Sequence, residues 1–384
     1  MTHVTPLLRR YAAGLTLLLL LLNTALAAPP VPAPPTIAAS SWLLIDYDSG
    51  RVLAEHNADQ RLEPASLTKI MTAYVVMREI REGNVGLEDQ VLVSKKAWKT
   101  PGSRMFIEVG KKVPVKDLLH GMIIQSGNDA SVALAEHIAG SEQAFAALMN
   151  EEARRLGMYD THFANSTGLP DEAHYTTARD IAKVAAATIR DFPEFYPWYS
   201  VKEFTYNKIR QHNRNKLLWR DKSVDGLKTG HTQAAGYCLV ASAKRDGMRL
   251  ISVVLGTGSE NARAKESQAL LNYGFRFFET HRLYGAGEAL TRVRIWKGTR
   301  EKLALGLEKD LYVTIPKRQY KNLEAAMNIE PRLMAPVDKG EKVGTVNITL
   351  NGETVASVPL VALEAVGRGS LFQRARDSVL LWLE

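Results

Sequence analysis

The stretch Glu63–Tyr74 combines a helical repeat of apolar residues with a serine and a lysine one turn apart. Pro64 suits the first turn of a helix because its missing N–H would have no partner there. The apolar positions that recur at helical spacing are Leu67, Ile70, Met71, Tyr74 and Val75. A helix beginning at about Pro64 places Ser66 in its first turn and Lys69 on nearly the same face. Because a serine hydroxyl is a weak nucleophile without a neighbouring base, the spacing indicates catalysis by Ser66 with Lys69 beside it.

A solvated helix start is the alternative interpretation, since by ordinary residue usage roughly one serine in fifteen has a lysine three residues later. Two observations favour chemistry. The pair is followed by an almost wholly apolar turn, and no other serine of the chain has a lysine three residues later.

The first 27 residues have the pattern of an export signal. Arg9 and Arg10 give a positive start, a leucine-rich run covers 12–22, and Ala25-Leu26-Ala27 is a small-residue cleavage site. The apolar run is short for a membrane span, although an uncleaved anchor is the alternative. We predict a signal peptide at 1–27 and a disordered, Pro/Ala-rich start of the mature chain at 28–39.

Composition places the rest of the chain among soluble globular proteins. Its 384 residues are 46% hydrophobic and 23% charged, which allows two domains with sizeable cores. A single cysteine, Cys238, excludes an internal disulfide and lies in an apolar, strand-like run, as a buried small hydrophobe would. The net charge of +8 suits an anionic surface, such as a lipid leaflet or an acidic polymer. Nucleic acid is not indicated, because the basic residues are scattered and no nucleic-acid-binding motif is present.

Helices and strands are mixed between residues 40 and 283. Segments 42–47 and 52–54 flank a turn and predict a hairpin. Residues 115–125 and 129–139 have helical patterns, and Ser126-Gly127-Asn128 interrupts them. This corner can present two polar side chains, Ser126 and Asn128, although a simple turn between helices is the alternative.

A strand is predicted at 224–232, followed by a strand pair at 236–242 and 249–255. Lys228-Thr229-Gly230 lies on the first of these strands. There a glycine allows close approach of a substrate backbone, and Lys228 with Thr229 can bind a carboxylate. A glycine at the end of a strand, without function, is the alternative.

Taken together, three motifs resemble the active-site motifs of the penicillin-recognising serine enzymes: Ser66-x-x-Lys69, Ser126-x-Asn128 and Lys228-Thr229-Gly230. Within that superfamily the chain is similar to the low-molecular-mass penicillin-binding proteins that act as D-alanyl-D-alanine carboxypeptidases. The stretches that carry the resemblance are 64–69, 125–130, 224–232 and 273–279. The resemblance extends from about Thr36 to the C-terminus. It implies an α/β (α+β) fold: a β-lactamase/transpeptidase-like catalytic domain, with an antiparallel sheet, helices and a helical subdomain, at 40–283.

Chemistry and the resemblance assign a role to each motif residue. Ser66 attacks the carbonyl of the penultimate D-alanine, which gives an acyl-enzyme and releases the terminal D-alanine. Lys69 is the base, so its pKa has to fall through burial and through the charge of Lys228. Ser126 passes the proton to the leaving amine, and Asn128 holds the substrate amide.

The resemblance also implies the groups that bind the oxyanion and the substrate carboxylate. The N–H groups of Ser66 and His231 form the oxyanion hole. The carboxylate of the substrate meets Lys228, Thr229 and Arg263, beside Gly230. Arg263 is expected in a polar loop at 261–267, where an arginine without function would simply be solvated.

The implied substrate is a peptidoglycan stem pentapeptide ending in D-Ala-D-Ala, with β-lactam antibiotics as covalent inhibitors. A β-lactamase is the nearest rival. The class A enzymes, however, use a loop glutamate in a Glu-x-x-x-Asn context, and the comparable stretch 163–172 has no such pair. Penicillin should therefore acylate Ser66 and leave slowly. Endopeptidase or transpeptidase activity and a non-catalytic cell-wall-binding role stay open. No metal-binding or cofactor motif is found.

A small all-β domain is predicted at 284–366, and the resemblance implies that it is sandwich-like. Strands are indicated at 292–296, 303–307 and 311–315, and Asn351-Gly352 is a hairpin signal between two alternating runs. We expect this domain to be a spacer or a partner-binding module.

The last segment, 367–384, predicts an amphipathic helix with one apolar stripe formed by Leu371, Phe372, Ala375, Val379, Trp382 and Leu383. It is too short to span a bilayer, so we expect an in-plane membrane anchor. Packing of the stripe on the β-domain is the alternative. Together with the signal peptide, the anchor predicts a location at the periplasmic face of the bacterial inner membrane.

Overall fold

The computed structural model describes residues 31–383, so the predicted signal peptide at 1–27 lies outside the described residues. Residues 31–39, predicted as part of a disordered start, form no regular element but pack on the catalytic domain. Ile37 is buried, and the Tyr273 hydroxyl donates to the Pro32 carbonyl at 2.9 Å. Val31 and Ile37 belong to one apolar cluster of the catalytic domain, and burial of their side chains holds this segment against the domain.

The regular elements are numbered in chain order. The strands are β1 (Ser41–Asp46), β2 (Val52–His56), β3 (Gln90–Leu92), β4 (Lys112–Pro114), β5 (Glu203–Tyr206), β6 (Ile209–His212), β7 (Val224–Thr232), β8 (Gly236–Arg245), β9 (Met248–Thr257), β10 (Phe278–Tyr284), β11 (Thr291–Trp296), β12 (Lys302–Gly306), β13 (Leu311–Pro316), β14 (Leu323–Ile329), β15 (Leu333–Met334), β16 (Lys342–Leu350) and β17 (Glu353–Ala362). The α-helices are α1 (Thr68–Arg81), α2 (Lys95–Lys99), α3 (Val115–His120), α4 (Asn128–Ala139), α5 (Glu142–Arg155), α6 (Ala178–Asp191), α7 (Leu217–Arg220), α8 (Glu260–Phe277) and α9 (Leu371–Leu383).

The catalytic domain is built on a five-stranded antiparallel sheet in the order β2-β1-β9-β8-β7. The inner strands are buried along most of their length because helices cover both faces: α8 packs on one face, and α6 packs on the other. The strand pair predicted at 236–242 and 249–255 is therefore part of a larger sheet. Strand β7, which carries Lys228, is one edge of this sheet.

A helical subdomain surrounds α1. Every residue of α1 from Thr68 to Met77 is buried, because α4, α5 and α6 all pack against this helix. A helix enclosed in this way cannot shift without disturbing the core, so the lysine in its first turn has a fixed position. The predicted fold class of the catalytic domain is confirmed.

The helix predicted from about Pro64 begins later. Residues Ala65–Leu67 form a 3₁₀ turn, and the α-helix starts at Thr68. The cause is the backbone of Ala65, whose φ of 47° lies in the left-handed region and interrupts the helix. Ser66 therefore lies in a tight turn that precedes the helix.

The helix predicted over 115–125 also differs. It is α-helical only over Val115–His120 and continues as a π-helical turn over Gly121–Gln125. Ser126 follows with a φ of 69° and ends the element. Such turns are often found at functional sites, and this one ends directly before the Ser126-x-Asn128 motif.

The C-terminal domain is β-rich. A six-stranded sheet in the order β14-β16-β17-β12-β11-β15 shares one apolar core with the two-stranded β10-β13 ribbon. β10 begins at Phe278, on the catalytic side of the boundary predicted at 283/284. β14 was not predicted, because its sequence Leu-Glu-Ala-Ala-Met-Asn-Ile lacks alternation and only pairing with β16 makes it a strand.

The last helix, α9, lies on the β-domain with its polar side. The Asp377 carboxylate is buried and accepts the Lys297 backbone N–H at 2.6 Å. The apolar residues Leu371, Phe372 and Trp382 are 82%, 81% and 84% exposed. Packing of the apolar stripe on the β-domain, the alternative considered above, is not the arrangement seen. Within residues 31–383, none of the helices has the length and apolar character needed to cross a membrane.

Candidate active site

The hydroxyl and the amine predicted to act together are in contact. Lys69 Nζ donates to Ser66 Oγ at 3.1 Å, and it also donates to Asn128 Oδ1 and to the Thr167 carbonyl, both at 2.6 Å. Three acceptors use all three donors that a charged ammonium would have. When Lys69 is neutral, its lone pair has to face one of these neighbours, and Ser66 Oγ is the one that can give a proton.

Burial changes the acidity of Lys69. Its side chain is 1% exposed, and removal from water lowers its pKa to about 7. The leading charge that lowers the pKa further is that of Arg214, while the carboxylates of Asp129 and Glu142 raise it. The sequence predicted burial plus the charge of Lys228. Burial is the leading cause, and the cation next in importance is Arg214.

A second serine and lysine pair lies in the site. Lys228 Nζ, on β7, donates to Ser126 Oγ at 2.9 Å and to the Thr229 carbonyl at 2.9 Å. Burial holds the pKa of Lys228 well below its usual range, and the charge of Lys69 lowers it further. Because two buried ammonium groups repel one another, the site favours a state in which at least one of these lysines is neutral.

Asn128 lies between the first lysine and the wall of the site. Its Oδ1 accepts from Lys69, and its Nδ2 donates to the Pro101 carbonyl at 2.6 Å. An asparagine amide has two donor hydrogens and two acceptor lone pairs, so each end keeps one position for a further partner. The predicted role of Asn128, holding a substrate amide, is compatible with these contacts.

β7 runs close to the turn that holds Ser66. A methyl group at Gly230 would lie 3.1 Å from the Pro64 carbonyl oxygen and 3.2 Å from the Ala65 Cβ, closer than an ordinary contact, so a glycine makes this approach easier. Thr229 is buried, and His231 is exposed and stacks on Tyr237 with ring centroids 4.0 Å apart.

Arg263 is not in a polar loop. It lies in the first turns of α8, which begins after Ser259 because the Ser259 hydroxyl caps the Ala262 N–H. The Arg263 side chain is 4% exposed and donates to the Gly230 carbonyl at 3.0 Å. The polar composition of 261–267 predicted a loop because the buried side of α8 becomes apolar only further along the helix.

A cleft of about 380 Å³ joins these elements. Predicted residues from every motif line it: Ser66, Ser126, Asn128, Thr229, Gly230, His231 and Arg263. Lys69 and Lys228 do not line the cleft themselves but donate to two lining residues, Ser66 and Ser126. All the predicted site residues are thus brought to one place.

The lining also includes residues that the sequence did not single out: Gly102, Ser103, Thr167, Gly168, Leu169, Arg214, Thr232, Tyr237 and Glu260. Gly168 had a detectable signal, a turn-type Ser-Thr-Gly. Its φ is 82°, and a methyl group there would lie 1.8 Å from the Ala65 carbonyl oxygen. Arg214 had none, because a single arginine in the polar stretch His212–Asn215 follows no periodicity.

The charge around the cleft is predominantly positive. Lys69, Lys228, Arg214 and Arg263 surround it, and the lining includes one carboxylate, Glu260, which is paired with Lys216 at 2.9 Å. An anionic group is therefore attracted to the end of the cleft near Arg214 and Arg263. No group of three or more potential metal ligands is found within residues 31–383.

The loop compared above with that of the class A β-lactamases contributes no carboxylate to the cleft. Its Thr167 carbonyl accepts from Lys69, and its Asn165 Oδ1 accepts the N–H groups of Thr167 and Gly168. Glu142 lies behind the loop, where it accepts the Ser166 hydroxyl at 2.8 Å and pairs with Lys96. It is not among the residues that line the cleft.

Comparison with known proteins decides which family this geometry represents. Residues 28–259 match the D-alanyl-D-alanine carboxypeptidase family. The chain belongs to this family. Residues 278–368 match the family described as penicillin-binding protein 5, C-terminal domain. The predicted family and carboxypeptidase function are confirmed.

Individual relatives agree with this assignment. The D-alanyl-D-alanine carboxypeptidase DacC of Escherichia coli (strain K12) is 47% identical, over 99% of this chain and 97% of that protein. The solved structure of penicillin-binding protein 5 from Haemophilus influenzae has a TM-score of 0.85 and 43% identity, and covers 88% of this chain and all of that one. Penicillin-binding protein D2 from Listeria monocytogenes, in an ampicillin-bound form, has a TM-score of 0.57 and 29% identity, over 64% of this chain and 100% of that one.

Proposed function

We propose that this D-alanyl-D-alanine carboxypeptidase works through an acyl-enzyme on Ser66 and removes the terminal D-alanine from peptidoglycan stem pentapeptides. The observation that carries the proposal is the pair of serine and lysine contacts, Lys69 with Ser66 and Lys228 with Ser126, at one cationic cleft. Neither pair needs a metal or a cofactor to generate a nucleophile.

Acylation begins with neutral Lys69. Its lone pair accepts the proton of Ser66 Oγ as the oxygen attacks the carbonyl carbon of the penultimate D-alanine. The negative charge that develops on the carbonyl oxygen is stabilised by the backbone N–H groups of Ser66 and His231. These two N–H groups need little rearrangement to bind the oxyanion, because the 3₁₀ turn and β7 pack against one another.

Collapse of the tetrahedral intermediate breaks the peptide bond, and the leaving amine has to receive a proton. Ser126 gives its hydroxyl proton to that amine and is reprotonated by the ammonium of Lys228, which donates to Ser126 Oγ. A water then attacks the acyl carbonyl and gives one proton, through Ser126, to the now neutral Lys228. Lys69 returns its proton to Ser66 Oγ as the ester bond breaks and the shortened peptide leaves. The terminal carboxylate of the substrate is held meanwhile by Thr229, Lys228 and Arg263 at the positive end of the cleft.

The test is release of free D-alanine from a muramyl pentapeptide mimic. Wild type should release D-alanine, and Ser66→Ala should not, because the alanine has no oxygen to acylate. Ser223→Ala, a change of the same type at a serine that does not line the cleft, is the matched control and should keep full activity. Release of D-alanine by Ser66→Ala at the wild-type rate would refute the serine mechanism.

We propose further that β-lactam antibiotics acylate Ser66 and that the adduct persists. The support comes from the lining of the cleft. In the described part of the chain, this lining contains no carboxylate placed like the loop glutamate of class A β-lactamases. Intact-protein mass spectrometry should show a stable penicillin adduct on wild type and none on Ser66→Ala. Return of the unmodified mass with hydrolysed penicillin within seconds would instead make the chain a β-lactamase.

The location proposed for the protein is the periplasmic face of the bacterial inner membrane. Three features support it: the export pattern at 1–27, the positive net charge, and the exposed apolar side of α9, whose polar side is docked on the β-domain. Deletion of residues 369–384 should release the mature chain from membranes. Continued sedimentation of the deleted chain with membranes would exclude α9 as the anchor.

A further inference from the structure

Asp129 is a buried carboxylate next to the Ser126-x-Asn128 motif that the mechanism does not use. Its side chain is 1% exposed, and in residues 31–383 it has no lysine, arginine or histidine partner within 4.0 Å. It instead accepts four backbone N–H groups, which is an unusually complete set for one carboxylate. The donors are Ala130 at 2.9 Å, Met105 at 3.0 Å, Phe106 at 2.9 Å and Ile107 at 3.3 Å.

Three of these four donors belong to one segment, residues 101–107, which we name the cleft-wall loop. Gly102 and Ser103 of this loop line the cleft. The loop also supplies both backbone acceptors for Asn128: the Ser103 carbonyl accepts the Asn128 N–H at 2.7 Å, and the Pro101 carbonyl accepts Asn128 Nδ2 at 2.6 Å. The amide of Asn128 is thus oriented by the cleft-wall loop.

The cleft-wall loop needs to be held. Phe106 has a φ of 69°, a conformation that costs free energy for a residue with a bulky side chain, and its ring is 48% exposed. Packing of that ring does not account for the conformation. The Phe106 and Ile107 N–H groups both donate to Asp129 Oδ2 in this conformation, and these two hydrogen bonds offset its cost.

We propose that Asp129 is a positioning residue of the carboxypeptidase reaction: it fixes the cleft-wall loop, the loop fixes the Asn128 amide, and the amide fixes Lys69 Nζ beside Ser66 Oγ. The connection runs from Asp129 to the Met105 N–H, along the backbone of the cleft-wall loop to the Pro101 carbonyl, and from there to Asn128 Nδ2. Asn128 Oδ1 then accepts from Lys69. It rests on the proposed role of Lys69 as the base. The charge of Asp129 also raises the pKa of Lys69, which adds an electrostatic link between the same two residues.

Asp129→Asn tests this role with little change of shape. One carboxylate oxygen becomes an NH₂ group, whose hydrogens face backbone N–H donors, so about half of the loop contacts are lost. Because a displacement of about 1 Å in an active site can cost 10²-fold, we expect kcat/KM for D-alanine release to fall by about 10- to 100-fold, mainly in kcat. The second-order rate constant of penicillin acylation should fall in parallel.

A double-mutant cycle with Asn128→Ala separates positioning from a general loss of structure. If Asp129 acts through Asn128, the double variant should acylate no more slowly than Asn128→Ala alone. If the two losses multiply, Asp129 acts by another route and the proposal is wrong. Penicillin acylation is the readout for the cycle, because long incubations allow slow variants to be measured.

Asp180→Asn is the matched control. Asp180 is also a buried aspartate that accepts a backbone N–H, from Asp160 at 2.9 Å, but its partners Asp160, Thr161 and Lys183 lie outside the cleft-wall loop. The Asp180→Asn variant should lower the melting temperature as much as Asp129→Asn does and leave kcat/KM unchanged. Should Asp129→Asn not fold, Asp129→Glu is measured instead: it keeps the charge, displaces both oxygens by one methylene and should show the same coupling to Asn128.

The outcomes distinguish this proposal from the proposed function. A wild-type chain that releases D-alanine without needing Ser66 refutes the serine mechanism, whatever Asp129 does. A wild-type chain that depends on Ser66, combined with a folded Asp129→Asn variant of unchanged kcat/KM, refutes the positioning role alone.

Discussion

At the scale of single residues, the proposed chemistry depends on Lys69, whose pKa of about 7 leaves part of the molecules with a neutral amine near physiological pH. An exposed lysine has a pKa near 10.4 and is almost entirely protonated at pH 7. Burial lowers the pKa of Lys69 to about 7, so roughly half of the molecules carry a base at that pH. The cost is a desolvated amine inside the core, which the contacts to Asn128 and Thr167 partly offset.

The first prediction follows from the protonation state of Lys69. The protonated form cannot accept the proton of Ser66, so the penicillin acylation rate constant should rise with pH and level off above about pH 8. Below about pH 7 it should fall about tenfold for each pH unit. Stopped-flow acylation between about pH 5 and pH 9 checks this, with circular dichroism to show that the protein stays folded. A rate constant that does not change over this range would remove Lys69 as the base.

The second prediction concerns recognition of the substrate carboxylate by Arg263. A hydrogen bond to a charged group contributes about 1.5–3 kcal/mol, which corresponds to about 10- to 100-fold in kcat/KM. Arg263→Gln should therefore lose that factor on a substrate with a free C-terminal carboxylate and little on the C-terminal amide. Arg276→Gln, an exposed arginine on the same helix, is the control and should match wild type on both. Equal losses of Arg263→Gln on the two substrates would indicate a structural role only.

Sequence reasoning was most successful at this scale. The closeness of Ser66 and Lys69 was predicted from their three-residue spacing, although the 3₁₀ turn before α1, and not an α-helical turn, holds Ser66. The pKa of Lys69 does not follow from local spacing, because its leading charge partner, Arg214, is distant in sequence and arrives through tertiary packing. The helical position of Arg263 was missed for a related reason: the cap at Ser259 sets where α8 begins, and the polar composition hid it.

At the scale of elements, the last helix has two different sides. Asp377 ties one side to the turn between β11 and β12, and the Arg376 guanidinium pairs with Glu301 at 3.0 Å on the same turn. Among residues 31–383, no neighbour buries the apolar side, as the exposure of Phe372 and Trp382 shows. A bilayer surface would bury these side chains without moving the helix.

The third prediction tests which residues of α9 carry membrane binding. Phe372→Ser with Trp382→Ser removes two aromatic side chains, each able to bury about 150–250 Å², and should weaken binding to anionic vesicles by more than about tenfold. Tyr159→Ser changes an aromatic residue in the catalytic domain that is 78% exposed, and should bind like wild type. Vesicle sedimentation of the mature chain measures both. Equal binding of the aromatic variant and wild type would contradict the anchor.

The sequence predicted the elements that one local pattern determines. It missed the elements that form only because of strand pairing or tertiary packing. The β16-β17 hairpin was found from Asn351-Gly352, whose turn chemistry is local. Strand β14 was missed because only its partner makes it a strand. The π-helical turn at Gly121–Gln125 was missed because helical periodicity does not distinguish it from an α-helix.

At the scale of the whole molecule, the two domains are joined by a buried polar network as well as by the chain. Asp46 is fully buried in the turn region of β1, and its two oxygens accept the Ser49 and Thr280 hydroxyls, each at 2.7 Å. The Thr314 hydroxyl lies 2.6 Å from that of Ser49 and 2.9 Å from that of Thr280. Because Thr280 and Thr314 are on the β10-β13 ribbon, the network fixes the β-domain to the edge of the catalytic sheet that lies furthest from β7.

The fourth prediction is that this junction stabilises the molecule without contributing to the chemistry. Thr280→Val keeps the side-chain shape and removes the donor to Asp46 Oδ2, which leaves a buried carboxylate short of one partner at a cost of about 1–3 kcal/mol. Calorimetry should show a lower melting temperature, with the β-domain unfolding separately if the junction is what makes unfolding cooperative. The penicillin acylation rate constant should not change, because the junction contacts the β1-β2 edge of the sheet and the cleft is at the opposite edge, formed by β7. Thr354→Val, at an exposed position in the same domain, is the control and should alter neither quantity. A tenfold change in acylation by Thr280→Val would show instead that the position of the β-domain is transmitted to the cleft, and the β-domain would then be part of the catalytic machinery rather than a support for it.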